Sequence, residues 1–173
     1  MRQLRYHVAT SVDGFIARTD HTFDCFPMEG AHVDDYLETL KAYDTVVMGR
    51  RTYEVGLRAG VNDPYPWMDT WVFSRTLGPS PSPRVHVVAE DPALTVRRLK
   101  EGDGGPLYLC GGGALASSLF AAGLVDSVWV KLNPIVLGDG VPFAPGLRAQ
   151  PRLTLTGTER YDSGVVLLRY DVG

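Results

Sequence analysis

Cysteine is scarce in this chain, with only Cys25 and Cys110 among 173 residues. Two cysteines are too few for a disulfide framework, and Cys110 lies in an apolar segment where a reduced, packed thiol is expected. The scarcity indicates a reducing compartment, and we therefore expect a cytoplasmic protein.

Long apolar runs are missing as well. No segment reaches the roughly 20 apolar residues of a membrane span, and Met1-Arg2-Gln3 leads straight into a strand-like segment without a signal-peptide core. The formal net charge is -3 at pH 7, so the chain as a whole should not attract nucleic acid or an anionic membrane. We expect one domain over residues 1–173 whose partner is a small molecule, with no nucleic acid and no membrane partner.

The few histidines do not form a metal-binding pattern. His7 and His86 lie in strand-like segments, which predicts hydrogen-bonded, partly buried rings. His21 and Cys25 share a loop, but two further ligands are lacking nearby. The sequence therefore predicts no metal site.

Short segments rich in β-branched or aromatic residues predict six strands in the first 132 residues. They are 4–9, 45–48, 71–74, 85–88, 107–110 and 127–132. Helices are predicted between them: one with Val33 and Leu40 on one face, one opened by Asp91-Pro92, and one from near Ala114 to Gly123. Since parallel strands need such crossovers, this part of the chain reads as an α/β sheet with helices on its faces.

The C-terminal segments differ in spacing. Segments 152–156 and 165–170 are strand-like and are joined by a short polar link containing Asp162-Ser163-Gly164. Such a link predicts an antiparallel hairpin, which makes the sheet mixed. The proline-containing segments 62–67 and 78–83 are predicted to be irregular surface loops.

Two glycine-centred corners each run from a predicted strand into a helix start. They are Gly49-Arg50-Arg51-Thr52 and Gly111-Gly112-Gly113-Ala114-Leu115. Glycine allows a ligand to approach the backbone, and the first helical turn offers unpaired N–H groups to phosphate. Two such corners predict a ligand with several phosphates. The alternative is a pair of tight turns, the first with solvated arginines.

The order of five segments resembles the dihydrofolate reductase-like family over nearly the whole chain. The segments are Thr10-Ser11-Val12-Asp13-Gly14-Phe15-Ile16-Ala17, Met48-Gly49-Arg50-Arg51-Thr52-Tyr53-Glu54, Phe73-Ser74-Arg75-Thr76, Gly111-Gly112-Gly113-Ala114, and Gly123-Leu124-Val125-Asp126 with residues 134–143. Within the family, the chain is most similar to the C-terminal reductase domain of the bifunctional riboflavin-biosynthesis deaminase-reductase and its stand-alone relatives.

The resemblance implies a central mixed sheet flanked by helices, an NADPH cofactor and often a homodimer. It also implies an NADPH-dependent oxidoreductase, similar to dihydrofolate reductase or to 5-amino-6-(5-phosphoribosylamino)uracil reductase. Such an enzyme transfers hydride to a small pterin-like or pyrimidine-like heterocycle. A non-catalytic nucleotide-binding module of the same fold is the alternative.

The resemblance also implies which residues bind the cofactor. They are Ala9, Ile16, Gly49, Arg50, Arg51, Thr52, Ser74, Arg75, Thr76, Gly111, Gly112, Gly113, Ala114 and Leu115. Within this set, Ala9 contacts the carboxamide through its backbone. The segment from Ser74 to Thr76 meets the adenosine 2′-phosphate, which favours NADPH over NADH.

Asp13 is the one residue for which a catalytic role is implied, because the loop that holds it covers the nicotinamide and the substrate. The alternative for Asp13 is a turn cap made with its own backbone. A lysine commonly follows the equivalent Asp-Gly in the riboflavin enzymes, whereas this chain has Phe15, which argues against the phosphorylated riboflavin intermediate as substrate. Dihydrofolate reductases carry an acidic residue on their first helix that helps to protonate the pterin. Asp34 and Asp35 do not align with that residue and are expected to be solvated.

Overall fold

The computed structural model describes residues 1–173, which form ten strands and four helices. In chain order they are β1 (Leu4–Thr10), β2 (Phe15–Ala17), α1 (Ala31–Leu40), β3 (Thr45–Gly49), α2 (Arg50–Arg58), β4 (Asp69–Phe73), β5 (Val85–Val88), α3 (Pro92–Glu101), β6 (Leu107–Gly111), α4 (Gly113–Ala121), β7 (Ser127–Leu132), β8 (Val141–Pro142), β9 (Leu153–Arg160) and β10 (Val166–Val172). None of the helices has the length and apolar character needed to cross a bilayer.

Eight strands form one mixed sheet in the order β5-β4-β3-β6-β1-β7-β10-β9. The six strands from β5 to β7 run parallel, whereas β10 pairs antiparallel with both β7 and β9. The predicted α/β fold of the dihydrofolate reductase-like type and its C-terminal antiparallel hairpin are thereby confirmed. β2 and β8 form a second, separate ladder. β2 has three residues and β8 has two, so both strands are too short to leave a periodic signal in the sequence.

The two faces of the sheet bury different side chains because successive residues of a strand point in opposite directions. Leu4, Tyr6 and Val8 of β1 join the larger apolar core, which also holds residues of α3 and α4. The second core lies on the opposite face and includes Leu40 and Tyr53. Each helix thus supplies the apolar stripe that covers one side of the sheet.

The residues of β1 between these apolar positions turn toward the face covered by α1. In the parallel register, His7 is the partner of Trp129 and Ala9 is the partner of Lys131. The ring of Tyr36 on α1 meets the His7 ring edge-on, with centroids 5.1 Å apart. This face therefore carries polar and aromatic groups where the opposite face is apolar.

The strand boundaries depart from the predictions where ladder pairing extends the chain. β4 begins at Asp69 rather than at residue 71, because Asp69 pairs with Thr45 of β3. β9 continues to Arg160, well past residue 156, because its pairing with β10 continues to Val166. Propensity reports local preference only, so pairing with a neighbour extends strands into polar residues.

β7 lies inside the sheet, between β1 and β10. Within its apolar segment from Val128 to Val130, Val128 is buried in the core of the chain itself. The apolar character of β7 is therefore explained within one chain. A homodimer stays a prediction from the family resemblance.

An ion pair between a buried lysine and a partly exposed aspartate joins α3 to the segment before β7, and it predicts a stability effect. Lys100 Nζ donates to the Leu124 carbonyl at 3.0 Å and to Asp126 Oδ2 at 2.5 Å, and the Leu4 N–H donates to the same carboxylate at 2.6 Å. Lys100→Met should lower the free energy of unfolding by about 2–3 kcal/mol, because the carboxylate loses its cation. Urea denaturation measures the change.

Lys41→Met is the matched control. Lys41 pairs with Glu38, and both side chains are exposed, so this substitution should change the free energy of unfolding by less than about 0.5 kcal/mol. Equal effects of the two substitutions would contradict the structural importance assigned to the Lys100–Asp126 pair.

Candidate functional site

The two glycine corners meet in one cleft of about 960 Å³ at the C-terminal ends of β1, β3 and β6. Thr52 Oγ1 of the first corner lies 3.5 Å from the position that a Cβ on Gly112 of the second would take. The corners are thus neighbours in space although they are some 60 residues apart in the chain. One extended ligand can contact both.

Most of the predicted cofactor-binding residues line this cleft. They are Ala9, Ile16, Gly49, Arg50, Arg51, Thr52, Gly111, Gly112, Gly113, Ala114 and Leu115. Ser74, Arg75 and Thr76 lie beside it rather than in its lining. The two groups touch, because Arg50 Nη1 donates to Thr76 Oγ1 at 3.1 Å.

Both corners present helix starts that no side chain caps. α2 begins directly after Gly49, and α4 begins directly after Gly112. The unpaired N–H groups and the partial positive charge of each first turn are therefore available to an anion. Gly111 has φ +145°, a value that L side chains rarely adopt, and the Gly111–Gly112 peptide bond is cis.

Asp13 is held outside the lining of the cleft. Its carboxylate accepts hydrogen bonds from the N–H groups of Leu137 at 3.1 Å and Gly138 at 2.7 Å. A hydrogen bond from the Ser11 side chain, followed by those two backbone bonds, lowers the pKa of Asp13 to about 2. The group is ionised at neutral pH, with no proton to give. Its catalytic role stays a prediction, and the geometry favours anchoring of the loop between β1 and β2.

The inner wall of the cleft consists largely of residues that the sequence did not single out. His7, Tyr36, Tyr65, Tyr108 and Lys131 lie here together. The hydroxyl groups of Tyr36 and Tyr108 are 2.8 Å apart. These rings form a polar aromatic surface suited to a flat heterocycle.

His7 is not the hydrogen-bonded ring that its strand context predicted. It is 2% exposed, and neither Nδ1 nor Nε2 has a hydrogen-bond partner. Burial, with Lys131, Arg5 and Arg169 nearby, lowers its pKa well below the usual value, so the ring is neutral. A neutral imidazole offers one donor and one acceptor to a ligand.

Lys131 is a half-buried cation in the same wall. Its Nζ lies 3.7 Å from the centroid of the Tyr36 ring, and no carboxylate is within salt-bridge distance. Burial lowers the pKa of Lys131 to about 8. The only clue in the sequence was a lysine within an otherwise apolar strand.

The lining of the cleft contains no aspartate and no glutamate. Asp35 of α1 instead lies at a smaller cavity of about 300 Å³, where its Oδ2 accepts a hydrogen bond from the Tyr161 hydroxyl at 3.0 Å. Asp34 is exposed. The cleft therefore offers cations, hydrogen-bond donors and aromatic rings, a combination that suits phosphate groups and carbonyl oxygens.

The chain is similar throughout its length to proteins of one family. The family model for the RibD C-terminal domain matches residues 2–167. The uncharacterized protein YwjB of Bacillus subtilis (strain 168) is 29% identical over 170 residues, covering 96% of each chain. The uncharacterized protein YyaP of the same organism is 28% identical over 182 residues, covering 98% of this chain and 94% of YyaP.

Solved structures share the fold at low sequence identity. A proposed riboflavin biosynthesis protein from Shewanella sp. PV-4 has a TM-score of 0.84 and 23% identity, covering 100% of this chain and 99% of its own. The diaminohydroxyphosphoribosylaminopyrimidine deaminase/5-amino-6-(5-phosphoribosylamino)uracil reductase from Thermotoga maritima has a TM-score of 0.73 and 15% identity. The match covers 99% of this chain and 57% of the Thermotoga maritima chain. A pyrimidine reductase-like protein from Corynebacterium diphtheriae has a TM-score of 0.63 and 16% identity, and the match covers 99% of this chain and 92% of the other chain.

Gly113 gives a test of how tightly the second corner is packed. A Cβ there would collide with the Pro142 carbonyl oxygen and would lie 2.7 Å from Pro145 Cδ. Gly113→Ala should therefore lower the free energy of unfolding by about 2 kcal/mol or more. Gly78→Ala, in an exposed loop with open space around the added methyl, should be nearly neutral. Equal melting temperatures for the two variants would contradict the packing described.

Proposed function

The chain belongs to the RibD C-terminal domain family, and from this premise we propose that it is an NADPH-dependent reductase of a small pyrimidine-like heterocycle. The observation that carries the proposal is the meeting of two glycine corners at an aromatic cleft. One end of that cleft suits phosphates, and the other suits a flat ring. A reduced dinucleotide has both parts.

The phosphate end is formed by the residues of the first corner and its neighbours. Arg50, Arg51 and Thr52, together with the N–H groups at the start of α2, would hold the phosphates of the cofactor. Ser74, Arg75 and Thr76 border this end and would bind the 2′-phosphate. The guanidinium of Arg75 is exposed, which leaves its donors available to that group.

The ring end is formed by the second corner and β1. The backbone of Ala9 and of Gly111 to Gly113, with Ile16 from β2, would position the nicotinamide. NADPH supplies the hydride when it is bound. The part of the protein is to orient the two rings and to exclude water, so a catalytic dyad is not required.

The chemistry of the inner wall favours a carbonyl-rich pyrimidine over an amino-substituted pterin. An amidine-like group would need a carboxylate partner, and the cleft offers none. His7 and Lys131 can instead donate hydrogen bonds to carbonyl oxygens, and the rings of Tyr36, Tyr65 and Tyr108 can contact a flat heterocycle.

Fluorescence titration with NADPH and NADH, followed by a substrate panel, tests this function. We expect NADPH to bind more tightly than NADH. Among 5-amino-6-(5-phosphoribosylamino)uracil, uracil-type rings and dihydrofolate, an oxo-pyrimidine should oxidise NADPH fastest. Binding without oxidation across the panel would indicate the non-catalytic nucleotide-binding module instead. Absence of NADPH binding would contradict both the reductase and the nucleotide-binding module.

Arg75→Ala tests the preference for NADPH. Loss of a charge-assisted contact to the 2′-phosphate should raise the Kd for NADPH roughly tenfold or more, with less than a roughly twofold change for NADH. Arg58→Ala removes an exposed arginine at the far end of α2 and serves as the control. Equal losses for the two nucleotides would place Arg75 away from the 2′-phosphate.

A further inference from the structure

The cleft and the smaller cavity share a wall. His7, His32, Tyr36 and Lys131 line both spaces. The smaller cavity is also lined by polar groups, among them Asp35, Glu38, Glu159 and Arg169. A side chain in this shared wall can face a ligand on one side and a polar cavity on the other.

Lys131 lies in this wall beside the strand residue that is expected to hold the carboxamide. It is the register partner of Ala9, and adjacent strands lie about 4.8 Å apart. Cys110, the last residue before the glycines of the second corner, lies in the same lining. The backbone of Lys131 is thus one strand away from the backbone that is expected to hold the carboxamide, and its side chain lines the same cleft.

Reduction of a C=N or C=O bond requires a proton as well as a hydride, and few groups in the cleft can supply one. No carboxyl group lines it, and burial raises the pKa values of Tyr36, Tyr65 and Tyr108 above the ordinary tyrosine range. The thiol of Cys110 also has its pKa raised by burial. His7 is neutral. His32 also lines the cleft, but its Nε2 is 3.3 Å from the Pro27 carbonyl oxygen and its Nδ1 is 3.3 Å from the Ser163 hydroxyl. Among the inner-wall groups His7, Tyr36, Tyr65, Tyr108 and Lys131, the ammonium of Lys131 is the one cationic proton source.

We propose that Lys131 is the proton donor, and that it selects a heterocycle with an acceptor nitrogen or carbonyl oxygen next to the carbon that is reduced. This proposal rests on the proposed function. The unpartnered nitrogens of His7, 2% exposed in the same wall, are the second feature that points to a polar ring at this place.

The proposed step balances in protons and electrons. The carbon of a C=N bond in the substrate, such as an imine carried by the pyrimidine, would accept the hydride that NADPH supplies, so that a new C–H bond forms and NADP⁺ is left. The π pair of the C=N bond moves to nitrogen and takes a proton from Lys131 Nζ, so that one N–H bond breaks as another forms. Lysine is left as a neutral amine and regains its proton from water through the smaller cavity.

Several titratable and charged groups line the two spaces that Lys131 borders. They are His7 on β1, Cys110 on β6, Arg169 on β10, Glu159 on β9, His32, Asp35, Tyr36 and Glu38 on α1, Tyr161 before β10, and Tyr65 in the loop before β4. Burial is the main cause that lowers the pKa of Lys131 to about 8. The proton needed for donation is therefore present below pH 8 and is lost as the pH rises above it.

Lys131→Met is the direct test, with Lys41→Met as the control on an exposed lysine. With the best substrate of the panel, Lys131→Met should lower kcat/KM roughly 100-fold or more, while the Kd for NADPH changes less than about twofold. The control should retain wild-type activity. A loss of less than about threefold would overturn the proposal.

The pH profile separates proton donation from a purely structural effect. Wild-type kcat/KM should fall about tenfold per pH unit above pH 8, and Lys131→Arg should lose this descending limb because arginine stays protonated. Persistence of the limb in either variant at Lys131 would overturn the proposal.

Two further measurements do not depend on turnover. Lys131→Met removes a half-buried cation without a counterion, so it should raise Tm by about 2–4 °C, whereas a structural lysine would lower Tm on removal. Uracil binding to the protein saturated with NADP⁺ should weaken roughly fivefold or more in the variant. If NADPH binds but uracil affinity is the same in both proteins, the role of Lys131 is refuted and the cofactor assignment stands.

Discussion

The structure depends on the parallel register of β1, β3 and β6, because this register brings two distant glycine corners to one edge of the sheet. Parallel strands end side by side, so the residues that follow Met48 and Cys110 must emerge together. At the second corner the backbone is also packed closely, because the Pro142 carbonyl lies where a Cβ on Gly113 would be. The two corners therefore present backbone amides to one cleft, beside the side chains of Arg50, Arg51 and Thr52.

Because residues alternate along β1, some of its side chains fill the apolar core and others line the cleft. Leu4, Tyr6 and Val8 fill the core beneath α3 and α4, whereas His7 and Ala9 face the cleft. The apolar face stabilises the sheet, so the opposite face can hold a neutral, unpartnered imidazole and a cation without a counterion. Such groups cost stability where they lie, and their presence indicates a site shaped for a polar ligand.

The sequence predicted the parts of the fold and the site that local pattern determines. Glycine after a strand indicated both corners, and apolar periodicity indicated the strands and the helices between them. The contact of Asp13 with Leu137 and Gly138 was not predictable, because it joins segments more than 120 residues apart. The position of Lys131 was hidden for another reason: alternation separates the two faces of a strand but does not tell which face lines a cleft.

Hydrogen–deuterium exchange of the backbone amides, followed as NADPH is added, tests the central claim most directly. The account predicts that amides in residues 49–53 and in residues 111–116 become protected together, with one saturation curve, because a single dinucleotide contacts both corners. Protection of only one corner, or saturation of the two corners at different NADPH concentrations, would contradict it.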